Sequence, residues 1–145
     1  MYTMSREQWW DFASSGTRTG KVAVVRANGT PHVVPIWFVL GNEGEHDYVV
    51  FNTAVDSVKG KALRRDPRFS MCVDDQAPPY SYVSITAEAE LSEDLDAMLP
   101  WAVRIGVRYM GAEAGEAFGK RNAVAGELLV RGRITKVIAH AEMTA

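Results

Sequence analysis

Two apolar runs separated by a turn pair open the pattern between Lys21 and Leu40. Val22-Ala23-Val24-Val25 is rich in β-branched residues and too short for a helix, and Asn28-Gly29 is the pair a type I′ turn favours, because both positions take positive φ cheaply. Together they predict a β-hairpin. Its second strand, predicted over Thr30 to Leu40, alternates Val33, Pro35, Trp37 and Val39 on one face with Val34, Ile36, Phe38 and Leu40 on the other. Antiparallel strands usually keep one wetted face, so a strand apolar on both needs a second cover from a helix, a subunit or a flat ligand. Pro35 removes a ladder donor, which places it at an edge or bulge where ligands reach the backbone.

The same reading runs on along the chain. Ser5 and Gln8 form a capping box for a first helix, with Met4 placed to staple against Trp9. A polar loop, Gly41 to Asp47, leads to a strand at Tyr48 to Thr53, and Asp56 to Asp66 reads as a helix stopped by Pro67, with Val58, Ala62 and Leu63 as its inward stripe. Strands follow at Arg68 to Val73 and Tyr82 to Leu91, joined by a loop containing Pro78-Pro79, and a last pair at Glu127 to Val130 and Ile134 to Ala139. Ser92 caps a further helix carrying Leu95, Met98, Leu99, Ala102 and Ile105 or Gly106 on one face, which Pro100 either kinks or restarts. No repeat interrupts this series. Strand-rich halves around a few helices predict a closed β-barrel with accessory helices.

Composition narrows the classes without naming a function. The 145 residues fit one domain, 1–145, and 47% hydrophobic with 23% charged residues is ordinary for a globular chain. The longest apolar run, Val33 to Leu40, is far short of the ~20 residues of a membrane span, so the expectation is a cytoplasmic protein without membrane contact. Cys72 stands alone in an apolar stretch, which makes it a small buried side chain rather than half of a disulfide. A net charge of −2 argues against broad nucleic-acid binding.

One segment carries recognisable site chemistry. Thr53-Ala54-Val55-Asp56-Ser57-Val58-Lys59-Gly60-Lys61 puts a hydroxyl and two lysines in the first turns of a helix directly after a strand. Unpaired N–H groups and the positive dipole end make such a start a phosphate cradle. A solvated lysine face has the same pattern, and the residues alone leave both open. No dinucleotide-binding or P-loop glycine motif, metal-ligand spacing or nucleophile context accompanies it. A flavin-like cofactor performs hydride chemistry itself and asks the protein chiefly for binding and orientation, so this silence fits such an enzyme.

Lys59-Gly60-Lys61-Ala62-Leu63-Arg64-Arg65-Asp66-Pro67-Arg68 resembles the pyridoxamine phosphate oxidase-like split-barrel superfamily, and specifically its actinobacterial F420-dependent reductase branch. Gly29 to Phe38, Asp74 to Tyr80, and Arg108-Tyr109-Met110-Gly111 carry the likeness further, from about Gly20 to about Arg131. The resemblance implies a mainly β fold, a six- to seven-stranded antiparallel split β-barrel with accessory helices, in a homodimer with cofactors at the subunit interface. It implies that Lys59 and Lys61, with Ser57 and Val58 alongside, hold the cofactor phosphate, and that the tricyclic ring lies on Val34, Pro35, Ile36 and Trp37. Asn52 and Thr53 approach the ribityl chain, and Tyr80 and Tyr82 match positions contributed by the partner chain. Arg121 and Asn122, placed in a loop before the last strands, reach toward the cofactor tail or substrate mouth.

The implied activity is hydride transfer from coenzyme F420 to a small conjugated acceptor. The alternatives are an FMN-dependent flavin reductase or oxidase, since both cofactors carry a phosphate on a ribityl-like chain, and a cofactor carrier without turnover. Ile134 to Ala145 lacks the Arg- and Trp-containing substrate segment of true pyridoxamine phosphate oxidases, which disfavours vitamin B6 oxidation.

Overall fold

The computed structural model describes residues 1–145. In chain order the elements are β1 (Tyr2–Thr3), α1 (Arg6–Ser14), β2 (Gly20–Val25), β3 (Pro31–Ile36), β4 (Val39–Glu43), β5 (His46–Ala54), α2 (Val58–Arg65), β6 (Arg68–Asp74), β7 (Tyr82–Ser92), α3 (Leu95–Met110), α4 (Ala112–Asn122) and β8 (Glu127–Ala141). Every strand pair is antiparallel, in the order β3-β2-β6-β7-β8-β5-β4, with β1 added to β8. The two ends of that order, β3 and β4, are consecutive in the chain and joined only by Trp37 and Phe38. The chain therefore passes from one sheet edge to the other within two residues, and the sheet has to curl into a split barrel.

Alternation fills the barrel. Val22, Val24, Phe38, Phe51, Met71 and Ile85 point inward and are fully or almost fully buried, and α1 closes one end with Trp9 and Ala13. The α1 capping box is present: Ser5 Oγ accepts from Gln8 N while Gln8 Oε1 accepts from Ser5 N at 2.8 Å. A smaller second core forms where α3 packs on the outer side of β4, β5 and β8, through Val39, Tyr48, Val50, Met98, Ile105 and Leu129. No helix is long and apolar enough to cross a membrane.

Several boundaries differ from the sequence expectation, each for an identifiable reason. The turn after β2 is a three-residue loop, Ala27-Asn28-Gly29, in which only Gly29 takes positive φ, 85°. Asn28 instead spends its side chain locally, accepting from Thr30 N at 3.1 Å and Thr30 Oγ1 at 2.6 Å. The strand expected over Thr30–Leu40 is two strands at opposite ends of the sheet, because the chain turns the barrel corner at Trp37-Phe38. The two apolar faces then have different fates: Val34, Ile36, Phe38 and Leu40 turn to the barrel core, whereas the other face is divided, with Val39 covered by α3 while Val33 stays 64% exposed and Pro35 is also exposed.

The polar loop expected at Gly41–Asp47 shrinks to a tight turn at Gly44-Glu45 between β4 and β5. The last two strands are one, β8, since the polar Arg131-Gly132-Arg133 between them keeps its arginines at the surface in ion pairs with Glu43 and Glu88. The cap of α3 is Asp94 rather than Ser92, accepting from Asp96 N and Ala97 N, and the helix continues through Pro100 while Leu95 and Leu99 stay exposed. Val58 likewise leaves the inward stripe of α2, which Ala62 and Leu63 carry.

Candidate functional site

The junction between β5 and α2 is built around Ser57. Its hydroxyl donates to Ala54 O at 2.7 Å and accepts from Gly60 N at 3.0 Å, so the Thr53 hydroxyl, 3.0 Å away, donates to it. This is an N-cap whose hydrogen-bonding capacity is used within the protein. Gly60 is required there, because a Cβ would meet Ala54 O at 2.3 Å and Val55 O at 3.0 Å. That close approach seats the first turn of α2 on the end of β5 and carries half-buried Lys59 to the inside of the junction, while Val58 and Lys61 face solvent.

Lys59 lines a cleft of about 280 Å³. Pro35, Ile36 and Trp37 from the barrel corner form one wall, Asn52 and Glu127 project from β5 and β8, Ala102 and Ile105 come from α3, and Asn122 closes it from the end of α4. Six of the residues expected at a cofactor site, Pro35, Ile36, Trp37, Asn52, Lys59 and Asn122, thus meet around one space. Asn52 Nδ2 donates to Asn122 O at 3.4 Å, whereas Asn52 Oδ1 is sealed from solvent with no donor in reach.

The other expected residues lie outside the lining. Val34 is half-buried against the barrel core opposite Val22, and Thr53, Ser57 and Val58 belong to the junction as described. Arg121 is exposed on α4 with its guanidinium 5.6 Å from the Phe118 ring centre, so Arg121-Asn122 ends a helix and is not a loop. Tyr80 is exposed, and Tyr82 pairs with His140, thirteen residues or roughly 40 Å of strand from Glu127 at ~3.3 Å per residue. Within one chain neither tyrosine reaches the cleft.

The corner that forms one wall is held from behind by the Arg108-Tyr109 segment. Tyr109 stacks on Trp37 with ring centres 5.0 Å apart and planes 5° from parallel, while its hydroxyl accepts from Phe38 N at 3.2 Å and donates to Arg18 O at 2.7 Å. Arg108 donates to the carbonyls of Ala13, Gly16 and Phe38 at 2.7, 3.0 and 2.8 Å. It ties the C-terminal end of α1 to the corner, and burial without a carboxylate partner holds its pKa below the usual guanidinium value.

Glu127, Ala102 and Ile105 were not legible as site residues. Glu127 opens β8 opposite Ala54, and burial pushes its carboxyl pKa up, with Asp56 adding to the shift and Lys59 opposing it. Nothing in its local sequence marks it, since the pairing that brings it beside α2 joins segments about 70 residues apart. The cleft thus brings together an apolar wall, one ammonium and one carboxylate, with an unpartnered amide oxygen buried in the Asn52 side chain behind it.

The comparisons agree with this architecture. No curated protein matches the chain. Among solved structures, a conserved hypothetical protein of Mycobacterium tuberculosis is 26% identical with a TM-score of 0.80, covering 97% of this chain and 87% of its own. An F420 reductase superposes at a TM-score of 0.67 with 22% identity, over 88% of this chain and 94% of that one. A FAD-binding protein of Mesorhizobium loti follows at 0.65 and 20%, over 95% of each. At these last identities the likeness is one of fold. With residues 9–140 matching the sequence model described as pyridoxamine 5′-phosphate oxidase, the chain belongs to the pyridoxamine 5′-phosphate oxidase-like split-barrel family.

Proposed function

We propose that the chain is an oxidoreductase that binds coenzyme F420 in the Lys59 cleft and uses it for hydride transfer to a small conjugated acceptor. The observation that carries this reading is the convergence of Lys59, Asn52 and the apolar face of Pro35, Ile36 and Trp37 on one cleft, with Asn52 Oδ1 buried there and without a donor in the protein. Leaving a buried acceptor unpaired costs about 1–3 kcal/mol, and native proteins keep such atoms where a ligand or water completes them. The hydroxyls of a ribityl-like chain are donors of the right kind, Lys59 is a counter-ion for the phosphate beyond it, and Pro35, Ile36 and Trp37 supply contact for a planar ring.

When bound, the deazaflavin supplies the hydride. The protein's part is to orient the ring, keep water from it and place the acceptor on its open face. The cleft is small for the whole coenzyme, as small-molecule sites run from about 300 to 1,000 Å³. Beside it lies the uncovered Val33 and Pro35 face of β3, which a second copy of the chain would roof in the homodimer we read here. The shared fold of an F420 reductase supports the cofactor, and the FAD-binding neighbour keeps FMN as the second reading.

Titrating the purified protein separately with F420 and FMN, following quenching of cofactor fluorescence, tests the reading. Preference for F420 by tenfold or more supports it. Preference for FMN replaces it with a flavin reductase or oxidase, binding without turnover of any conjugated acceptor replaces it with a carrier, and binding of neither overturns it.

A further inference from the structure

The nine residues lining the cleft include one cation, Lys59, and one carboxylate, Glu127. Their formal charges cancel, which is a poor start for a site that is to hold a phosphate. The carboxylate is fixed in place by the fold: Glu127 is the first residue of β8 and pairs through its backbone with Ala54, three residues before the N-cap of α2. The groups that bear on it electrostatically are few. Lys59 on α2 attracts its charged form, Asp56 in the turn before α2 repels it, and the facing walls from α3 and α4 contribute only Ala102, Ile105 and Asn122, none of which titrates. Half-buried beside an acidic neighbour, the carboxyl is already pushed above its ordinary pKa before any ligand arrives.

A phosphate seated on Lys59 brings a further negative charge into the same small cleft. Like charges at close range raise a carboxyl pKa, and the neutral acid then has an O–H to donate to an oxygen of the ligand. We propose that Glu127 takes up a proton from solvent when an anionic cofactor tail seats on Lys59, so that cofactor affinity is regulated by pH through a residue that takes no part in the hydride transfer. The inference rests on the placement of the cofactor phosphate at Lys59 argued above. Proton balance is simple: one proton moves from water to the Glu127 carboxylate on binding and returns on release.

By linkage, affinity is constant below the pKa of the free carboxyl. It then falls by up to tenfold per pH unit until the pKa of the bound form is passed. The experiment is calorimetric titration of the intact protein with F420 and with FMN from pH 5 to pH 8, in two buffers of different ionisation enthalpy, for wild type and Glu127→Gln. Comparing the two proteins at each pH cancels the titration of the ligand's own phosphate. The expected result is a wild-type affinity that drops at least tenfold relative to the variant as pH rises, with proton uptake that only wild type shows. The same pH profile and the same proton count in both proteins overturns this inference while leaving the cofactor assignment standing. Failure of both proteins to bind either cofactor overturns both. Should the variant not fold, buffer-dependent proton uptake by wild type binding F420 decides the matter, and its absence overturns the proposal.

Discussion

Replacing Arg108 with Met removes a three-point clamp and measures how firmly the barrel corner is held. The guanidinium donates to Phe38 O at 2.8 Å, Ala13 O at 2.7 Å and Gly16 O at 3.0 Å, and lies 4.7 Å over the Phe38 ring. The Gly16 bond is exposed, so water replaces it when the side chain is truncated, whereas the other two are partly buried and leave carbonyls short of a donor. Hydrogen bonds to a charged group contribute about 1.5–3 kcal/mol each, and since both are only partly buried the lower end applies, which puts the loss at ~3 kcal/mol for the two. For a chain of 145 residues, at about 2–4 °C per kcal/mol, the expected drop in Tm is ~6–12 °C by circular dichroism. Arg108→Lys recovers part of this and not all, since an ammonium cannot span three carbonyls with the geometry of the guanidinium fork. A Tm within 2 °C of wild type for Arg108→Met would refute the reasoning and show that the corner is held by Tyr109 stacking and core packing alone.

The remaining predictions concern the cleft and the junction behind it. Lys59→Gln should weaken cofactor binding by about tenfold, or ~1.4 kcal/mol, while Lys61→Gln, on the solvent side of α2, stays within about twofold; equal losses would remove Lys59 from its special role. Gly60→Ala forces a Cβ into the Ala54 and Val55 carbonyls and should cost about 1–3 kcal/mol in denaturant unfolding, with a loss under ~0.5 kcal/mol counting against the close-approach account. Glu127 also predicts a pH dependence of stability without ligand. Its folded-state pKa lies above the ordinary value of 4.5, so its contribution is fully present below that value and is lost as pH rises through the folded pKa. Glu127→Gln should therefore raise Tm at pH 7 and leave it unchanged near pH 4, and a shift that is the same at both pH values would contradict the burial argument.

Local signals were read where residues close in sequence decide the outcome. The capping box at Ser5 and Gln8 formed as expected because both partners lie within one helical turn, and the strands of β2, β6 and β7 followed from β-branched and apolar runs bounded by turn residues. Ser57 was placed correctly at the start of α2, but its hydroxyl serves the helix cap, a use that becomes visible only with the Ala54 carbonyl and Gly60 N–H in position. Helix α4 is not legible in the sequence, since Gly115 and Gly119 lower its helical propensity. In the fold those glycines lie against the backbone of α3, where a Cβ would stand 2.4 and 2.5 Å from the Cα atoms of Val107 and Val103.

By itself the sequence determined the β-rich architecture, the hairpin that opens the sheet, the strand-to-helix junction that puts Ser57 and Lys59 at the start of α2 and the doubly apolar stretch from Val33 to Leu40. Each is written in neighbours a few residues apart, where period, caps and turn residues act directly on the backbone. Only the tertiary structure decided that this stretch breaks at Trp37-Phe38 into the two edges of a split barrel, that Lys59 and not Lys61 enters the cleft, and that Glu127 lines the same cleft as Lys59. Those outcomes depend on strand order and on which face of a helix meets the barrel, and both are settled by burying one shared core rather than by any local pattern.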